Sequence, residues 1–466
     1  MKWAVSTLEP LRPKITHSIS QIASRRKSVI VPKSNLDLLN FEVAPVRSGA
    51  TSGGDGPLGL SLAAAAAPAA PRIALYSHDT LGLGHMRRNM LLAQTLTASS
   101  LQPVTLSIVG KPEACRFPLP ARGERVVLPA LRKVPDGGYQ PASFDLPLTQ
   151  VVDMRSRIIR GALEGFRPDL LIVDNVPRGA MRELDNALGM LRADTSTRVV
   201  LGLRDVLDDP EAIRRQWSKS DSYAALRDFY DEIWIYGDPL IFDTQHDYGF
   251  PADVQPKIRY TGYFDLSERA RHAEPEDVRA ADLLNIREHD TVLCLLGGGE
   301  DGNVLADAFA DIVLPDGFHA LIVPGPYLHA ESMRKLERRA AADPAFRLIP
   351  FVREPMVLAR DCTCVVAMGG FNTVWEIVAL GKPFLVMPRA SGRQEQWIRA
   401  RRLQELGVLD VQSQELMNGR SLSQWVAAQG RAPRANIRDR IRLDGLSTVV
   451  ELASAMLSRE FRAVNV

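Results

Sequence analysis

Only four cysteines occur in 466 residues, Cys115, Cys294, Cys362 and Cys364, too few and too scattered for a disulfide framework. Cys294, Cys362 and Cys364 lie in apolar, strand-like runs, where a thiol acts as a small buried hydrophobe. A Cys-X-Cys pair without a second pair is a poor zinc site, so no metal is expected, and a reducing compartment is. Excess charge is also scarce: the formal net charge is +2, which argues against wholesale nucleic-acid binding. No apolar run reaches the roughly 20 residues of a membrane span, and the Ala-rich stretch Ala63–Ala70 is broken by Pro68. The N-terminus lacks the charged start, apolar core and cleavage site of a signal peptide. Missing too are a Gly-X-X-X-X-Gly-Lys-Ser/Thr phosphate loop and a complete three-glycine dinucleotide fingerprint, which lowers the ATPase and oxidoreductase readings; no Asp-X-Asp triplet, a metal–diphosphate ligand, occurs either, so metal independence is expected.

What is present is a globular composition, 45% hydrophobic and 24% charged, on a chain long enough for two domains. Residues 1–70, with a basic patch at Arg25–Lys27, scattered Pro and Ser and the Ala run, read as a mostly disordered extension. From Arg72 the pattern changes to strands alternating with helices. Strands are expected at Arg72–Ser77, Val104–Val109, Asp169–Asp174, Arg198–Leu203 and Glu232–Tyr236, with helices at about Arg87–Thr97 and Val151–Phe166. The alternation restarts with strand Thr291–Leu296, helix Asn303–Ile312, and strand-like runs at Leu321, Phe346, Cys364 and Pro383. Such alternation implies parallel sheets covered on both faces. The expected architecture is α/β, two Rossmann-like domains facing across a cleft: 71–262, then 263–440, with a C-terminal helix in 441–466 and the linker within Tyr260–Asp290.

Each half opens with strand, Gly-rich turn and helix. The first turn holds Gly82 and Gly84, followed by His85, Arg87 and Arg88; the second holds Gly297, Gly298, Gly299 and Gly302. Glycines entering a helix expose backbone N–H groups at its positive end, a ready anion site. They also serve simply to make a tight turn. The second loop is denser in glycine than a turn requires, which favours phosphate there. A further pair, Gly369-Gly370, precedes Asn372 and Thr373 at another helix start.

The stretch Met368-Gly-Gly-Phe-Asn-Thr-Val-Trp-Glu376, continuing to Pro388, resembles the donor-binding signature of GT-B glycosyltransferases. Together with Leu81-Gly-Leu-Gly-His85-Met-Arg-Arg-Asn89, Tyr260-Thr-Gly262, Phe351-Val352 and Arg393-Gln-Glu-Gln-Trp397, it looks most like the peptidoglycan lipid-linked GlcNAc transferase. The resemblance runs from Arg72 to about Leu457. It implies a nucleotide-sugar co-substrate, with a uridine base, and no other cofactor. Gly298, Gly299, Gly369, Gly370, Asn372 and Thr373 would hold its diphosphate, Glu376 the ribose hydroxyls, and Val352 the base edge. The donor sugar would meet either Gln394 with Glu395 or Glu395 with Gln396, the second pairing being favoured; Trp397 reads as helix packing.

Inverting transfer requires a base for the acceptor hydroxyl, and His85 is the candidate, oriented by Asp79 or Asp174. Gly82, Gly84 and Arg87 would belong to the acceptor side. The expected partners are the donor and a sugar, lipid-linked or polysaccharide acceptor, with no nucleic acid. The basic and apolar mix of Arg116–Lys133 either docks on an anionic lipid surface, at the inner face of the membrane, or forms a solvated basic face. A cytoplasmic protein is expected. Rival readings are a nucleotide-sugar hydrolase of the same fold, a sugar-nucleotide 2-epimerase with fewer matching residues, and a non-catalytic sugar-nucleotide-binding protein.

Overall fold

The computed structural model describes residues 70–79, 84–134, 138–266, 268, 286–298, 301–350, 352, 354–390, 392–432 and 440–458. The expected N-terminal extension lies outside the described residues except for Ala70, as do Gly82, Gly299, Phe351 and most of the linker. Residues 67–466 form one compact unit.

The chain begins with β1 (Arg72–Ser77), β2 (Val104–Val109) and β3 (Gly123–Val127). An antiparallel hairpin, β4 (Leu131–Lys133) and β5 (Tyr139–Pro141), precedes β6 (Leu170–Asp174), β7 (Arg198–Arg204), β8 (Glu232–Tyr236) and β9 (Ile258–Tyr260). All except the hairpin form a parallel sheet in the order β3-β2-β1-β6-β7-β8-β9. A second parallel sheet has the order β12-β11-β10-β13-β14-β15, from β10 (Asp290–Leu295), β11 (Phe318–Val323), β12 (Phe346–Leu348), β13 (Cys364–Met368), β14 (Phe384–Met387) and β15 (Asp410–Val411). The fold is thus two Rossmann-like α/β domains. Strands such as β6 and β13 are apolar and buried along most of their length, because helices cover both faces of a parallel sheet. The short edge strands β3, β9 and β15 carry too little pattern to be read from the sequence.

The order of each sheet reverses once, between β1 and β6 and between β10 and β13. A crevice opens at such a switch point beyond the carboxyl ends of the strands, where ligands of open α/β sheets bind. The helices that serve the site are α1 (Gly84–Ala98), α2 (Leu148–Phe166), α3 (Asn303–Ala310), α4 (Phe371–Leu380) and α5 (Glu395–Glu405). The last helix, α6 (Gly445–Leu457), packs against α1 and β6 of the first sheet, burying Val449, Ala453 and Met456. One apolar cluster therefore runs through both halves, and Tyr263 stacks on Trp375 with ring centroids 3.4 Å apart. Among the described residues no helix is long and apolar enough to cross a membrane.

Candidate active site

His85 is the second residue of α1, and the helix start is fixed by a side chain that is not its own. Asp79, just beyond β1, accepts the Met86 N–H at 3.0 Å through one oxygen; the other accepts from Ser77 Oγ at 2.5 Å and from Gly110 N–H at 3.3 Å. Asp79 is buried and acts as the helix cap, so Asp174 orients the imidazole. His85 Nδ1 lies 2.5 Å from Asp174 Oδ2, an oxygen the β1-β6 adjacency brings across 89 residues.

Asp174 is fully buried, and burial alone would raise its pKa. Arg88, whose Nε lies 2.9 Å from Oδ1 and whose Nη2 also bonds it, and His85 outweigh this and hold the carboxyl well below the usual carboxylate range. An ionised Asp174 at that distance keeps the proton on Nδ1 and leaves Nε2 as the basic atom. Burial pushes His85 itself below its ordinary value, against the pull of Asp174, with Arg88 and Arg204 adding to the depression. The ring is neutral at neutral pH, and its side chain retains 17% exposure. His78 packs beside it, centroids 4.8 Å apart, and burial drives this second imidazole down as well.

Across the cleft, two helices begin with their backbone donors uncapped. α3 starts after Gly302 and α4 after Gly370; neither has a side-chain cap or an acidic residue in its first turn. The N–H groups of a helix start need partners, and its partial positive charge is worth about 0.3–1 kcal/mol to a nearby anion at an exposed site. Both starts open on one cavity of about 630 Å³, lined by Gly297, Gly298, Gly302, Gly370, Thr373 and Gln396 among others. Gly297 has a φ of 62°, which favours glycine. The glycine turn rests on Gly325, where a Cβ would lie 2.2 Å from the Gly298 carbonyl carbon.

Of the sequence-selected residues, Gly298, Gly370, Thr373 and Gln396 line this cavity, whereas His85, Val352, Gly369, Asn372, Glu376, Gln394 and Glu395 are not among its lining residues. Gly369 packs on Gln396, where an added Cβ would lie 3.1 Å from the Gln396 Cβ. Asn372 directs its amide to the Gly84 carbonyl at 3.1 Å, so its side chain ties α4 to α1. Glu376 is buried, and Val352 is half-buried against the large apolar cluster. Of the three polar residues at the start of α5, Glu395 and Gln396 are buried while Gln394 is exposed, its N–H donating to Asp208 at 2.7 Å. Gln396 Oε1 accepts the Arg389 N–H at 3.0 Å, and Trp397 Nε1 donates to the Arg389 carbonyl at 2.9 Å. Trp397 thus pins the loop after β14. Glu395 Oε2 is buried without a hydrogen-bond partner among the described residues.

Arg87, expected on the acceptor side, instead helps join the halves, as do several groups that escaped the sequence reading. Arg87 pairs with Glu354 at 2.8 Å. Buried Asp205, beyond β7, accepts from Tyr263 Oη at 2.7 Å and from Arg399 Nη2 at 3.3 Å. Phe371, the first residue of α4, has the Arg88 guanidinium 5.6 Å from its ring centroid and that of Arg399 5.1 Å from it. The i, i+3 spacing of His85 and Arg88 on one helix was the available signal for Arg88. The basic segment Arg116–Lys133 divides: Arg125 holds the Ala114 and Phe117 carbonyls, Arg116 is exposed, and Arg132 and Lys133 line the cleft cavity. Among the described residues no three His, Cys, Asp or Glu side chains gather as metal ligands would.

Two facing Rossmann-like domains, with a glycine turn at the switch point of the second and a His–Asp pair at that of the first, define the GT-B class of fold. Within that class the chain resembles the MurG-type GlcNAc transferase. It is 23% identical over 353 residues, 70% of this chain and 80% of the relative, to the UDP-N-acetylglucosamine--N-acetylmuramyl-(pentapeptide) pyrophosphoryl-undecaprenol N-acetylglucosamine transferase of Acidothermus cellulolyticus. Against the protein of the same name from Treponema denticola it is 29% identical over 150 residues, 30% of this chain and 37% of the relative. Solved structures agree on the fold. MurG of Acinetobacter baumannii matches with a TM-score of 0.50 at 14% identity, over 83% of this chain and 99% of that one. The glycotransferase of kitacinnamycin gives 0.55 at 15% over 84% and 100%, and UDP-GlcNAc 2-epimerase from Methanocaldococcus jannaschii 0.53 at 11% over 82% and 99%. No protein-family profile matches the sequence.

Proposed function

We propose that this chain transfers a sugar from a nucleotide-activated donor, UDP-linked as in the relatives' names, to an acceptor hydroxyl, with inversion and without a metal. One observation carries the reading: Gly84, which opens the His85 helix, is hydrogen-bonded to Asn372 in the first turn of the donor-signature helix. The basic histidine and the anion-ready helix start therefore share one cleft.

In the proposed reaction the donor diphosphate lies against the backbone of Gly298 and the starts of α3 and α4, and Glu376 accepts from the ribose hydroxyls. Glu395 and Gln396 hold the sugar. The acceptor oxygen bonds to the anomeric carbon as the bond from that carbon to the diphosphate oxygen breaks. The hydroxyl proton passes to His85 Nε2, Asp174 stabilises the resulting imidazolium, and the nucleoside diphosphate leaves as an anion held by helix-end N–H groups. A lipid-linked acceptor is part of the proposal, with the protein peripheral at the inner face of the membrane. Supporting it, Phe144, Leu146, Met154 and Met181, 37–50% exposed, lie in or beside the segments that form the small apolar cluster of Leu131, Leu148, Val151 and Ala180.

The test is UDP release from UDP-sugars with and without a polyprenyl-diphosphate-linked sugar acceptor. Release that requires the acceptor and falls by about 10²–10⁴ in His85→Ala supports transfer. Equal release without acceptor makes the chain a hydrolase, and donor-sugar interconversion without release makes it an epimerase. Activity unchanged by EDTA is expected; strict dependence on added Mn²⁺ would overturn the metal-free reading.

A further inference from the structure

The cavity has a basic side that the nucleotide does not explain. Opposite Gly298 and Gly370, the first half contributes Lys111, beyond β2, and Arg132 and Lys133 from the β4–β5 hairpin; Arg389 joins them from the second half. Asp301 is the acidic residue of the lining, and it sits 3.6 Å from Arg389. The Lys111 and Lys133 side chains make no hydrogen bond or ion pair among the described residues, and the exposed Arg132 side chain bonds the neutral Gln140 amide at 3.1 Å. Lys133 is half-buried, and burial pushes its ammonium below the ordinary lysine value, with Arg393 and Arg389 adding to the depression and the Asp208 and Glu395 carboxylates opposing it.

Unpaired cations gathered in a concave site cost free energy that a neutral ligand does not return. The nucleotide's own diphosphate already has two uncapped helix starts on the opposite side. We infer that Lys111, Arg132 and Lys133 form a second anion site, for a carboxylate or phosphate carried by the transferred sugar or by the acceptor rather than by the nucleotide. The inference rests on the proposed transfer reaction and deepens it. At least one of the two reactants is anionic beyond the diphosphate, and the hairpin is the element that selects it. Arg and Lys suit the task because charge-assisted hydrogen bonds to carboxylate or phosphate are about twice as strong as neutral ones.

The test is calorimetry on the native chain and on the Lys111→Gln/Arg132→Gln/Lys133→Gln variant. UDP, UDP-glucose and UDP-glucuronate are titrated alone, and geranyl diphosphate and geraniol are titrated into the UDP-saturated protein. An anionic probe is expected to bind the native chain about tenfold or more tighter than its neutral counterpart. That preference should vanish in the variant, with UDP affinity held within about twofold. A preference for UDP-glucuronate places the anion on the donor sugar; a preference for geranyl diphosphate places it on the acceptor. Equal binding of charged and neutral probes overturns the inference. So does a variant that loses UDP as strongly as the anionic probe, since the basic side would then serve the nucleotide diphosphate. If the native chain binds no UDP, the transfer reading fails by itself, and geranyl diphosphate against geraniol on the two proteins still decides the anion site.

Discussion

Two parts of the cleft differ in how completely their polar groups are paired: the His85 network of the first half, taken as the first wall, and the helix starts of the second half, taken as the second. On the first, His85, Asp174 and Arg88 form a buried network, and Asp79 spends both oxygens on the turn beneath it. On the second, the starts of α3 and α4 are uncapped, Gly297 and Gly298 are exposed, and Glu395 Oε2 is buried without a partner. The His85–Asp174–Arg88 network is paired before any ligand arrives; the helix starts and Glu395 are completed by one. Preorganised groups lower a barrier because they need no rearrangement as charge develops, whereas unsatisfied donors and acceptors convert into binding energy and selectivity. Substitutions on the first wall should therefore change turnover, and those on the second should change affinity.

The largest effect expected is on the first wall. Asp174→Asn keeps the shape but loses the charge that fixes the His85 tautomer, and kcat should fall by about 10³–10⁴ with UDP affinity within about twofold. A matching loss of UDP binding would show that the walls do not divide the work this way. On the second wall, Glu395→Ala should raise KM for the sugar donor about tenfold or more, leaving the affinity for UDP alone nearly unchanged; equal loss of both would move Glu395 away from the sugar.

The pH profile sharpens the comparison further. As the proposed base His85 acts in its neutral form, and its pKa is depressed, so kcat/KM should hold as pH falls from 8 to about 6.5 and be lost only below that value. A limb above pH 7 would exclude His85 as the base. The smallest effect concerns the join between the walls. Arg87→Ala removes a partly buried ion pair with Glu354 and should cost no more than about 1 kcal/mol in thermal unfolding.

Much of the second wall was legible in the chain because it is local. Gly297–Gly298 and Gly369–Thr373 each follow an apolar strand and open a helix within a few residues, a pattern that short-range periodicity reveals. The first wall was legible only at His85. Asp79 and Asp174 could not be separated from sequence, since the choice depends on β1 lying beside β6 and on Asp79 being consumed as a cap. Arg132 and Lys133 read as part of one basic segment because a three-residue strand gives no cue to which cavity it faces. The contacts joining the halves, Arg87 to Glu354 and Asp205 to Arg399, span 267 and 194 residues, and no periodicity encodes such pairs. The register at the start of α5 is a case between these extremes. Glu395 and Gln396 turn inward and Gln394 outward because α5 begins at Glu395, with Gln394 at its cap position.

The central claim is that the second wall is a nucleotide-sugar donor site. A thermal-shift panel of UDP, GDP, dTDP and their sugar conjugates, run beside Glu376→Ala, tests it most directly. The account predicts a clear rise in Tm with one nucleotide and its loss in the variant; no shift with any of them would contradict it.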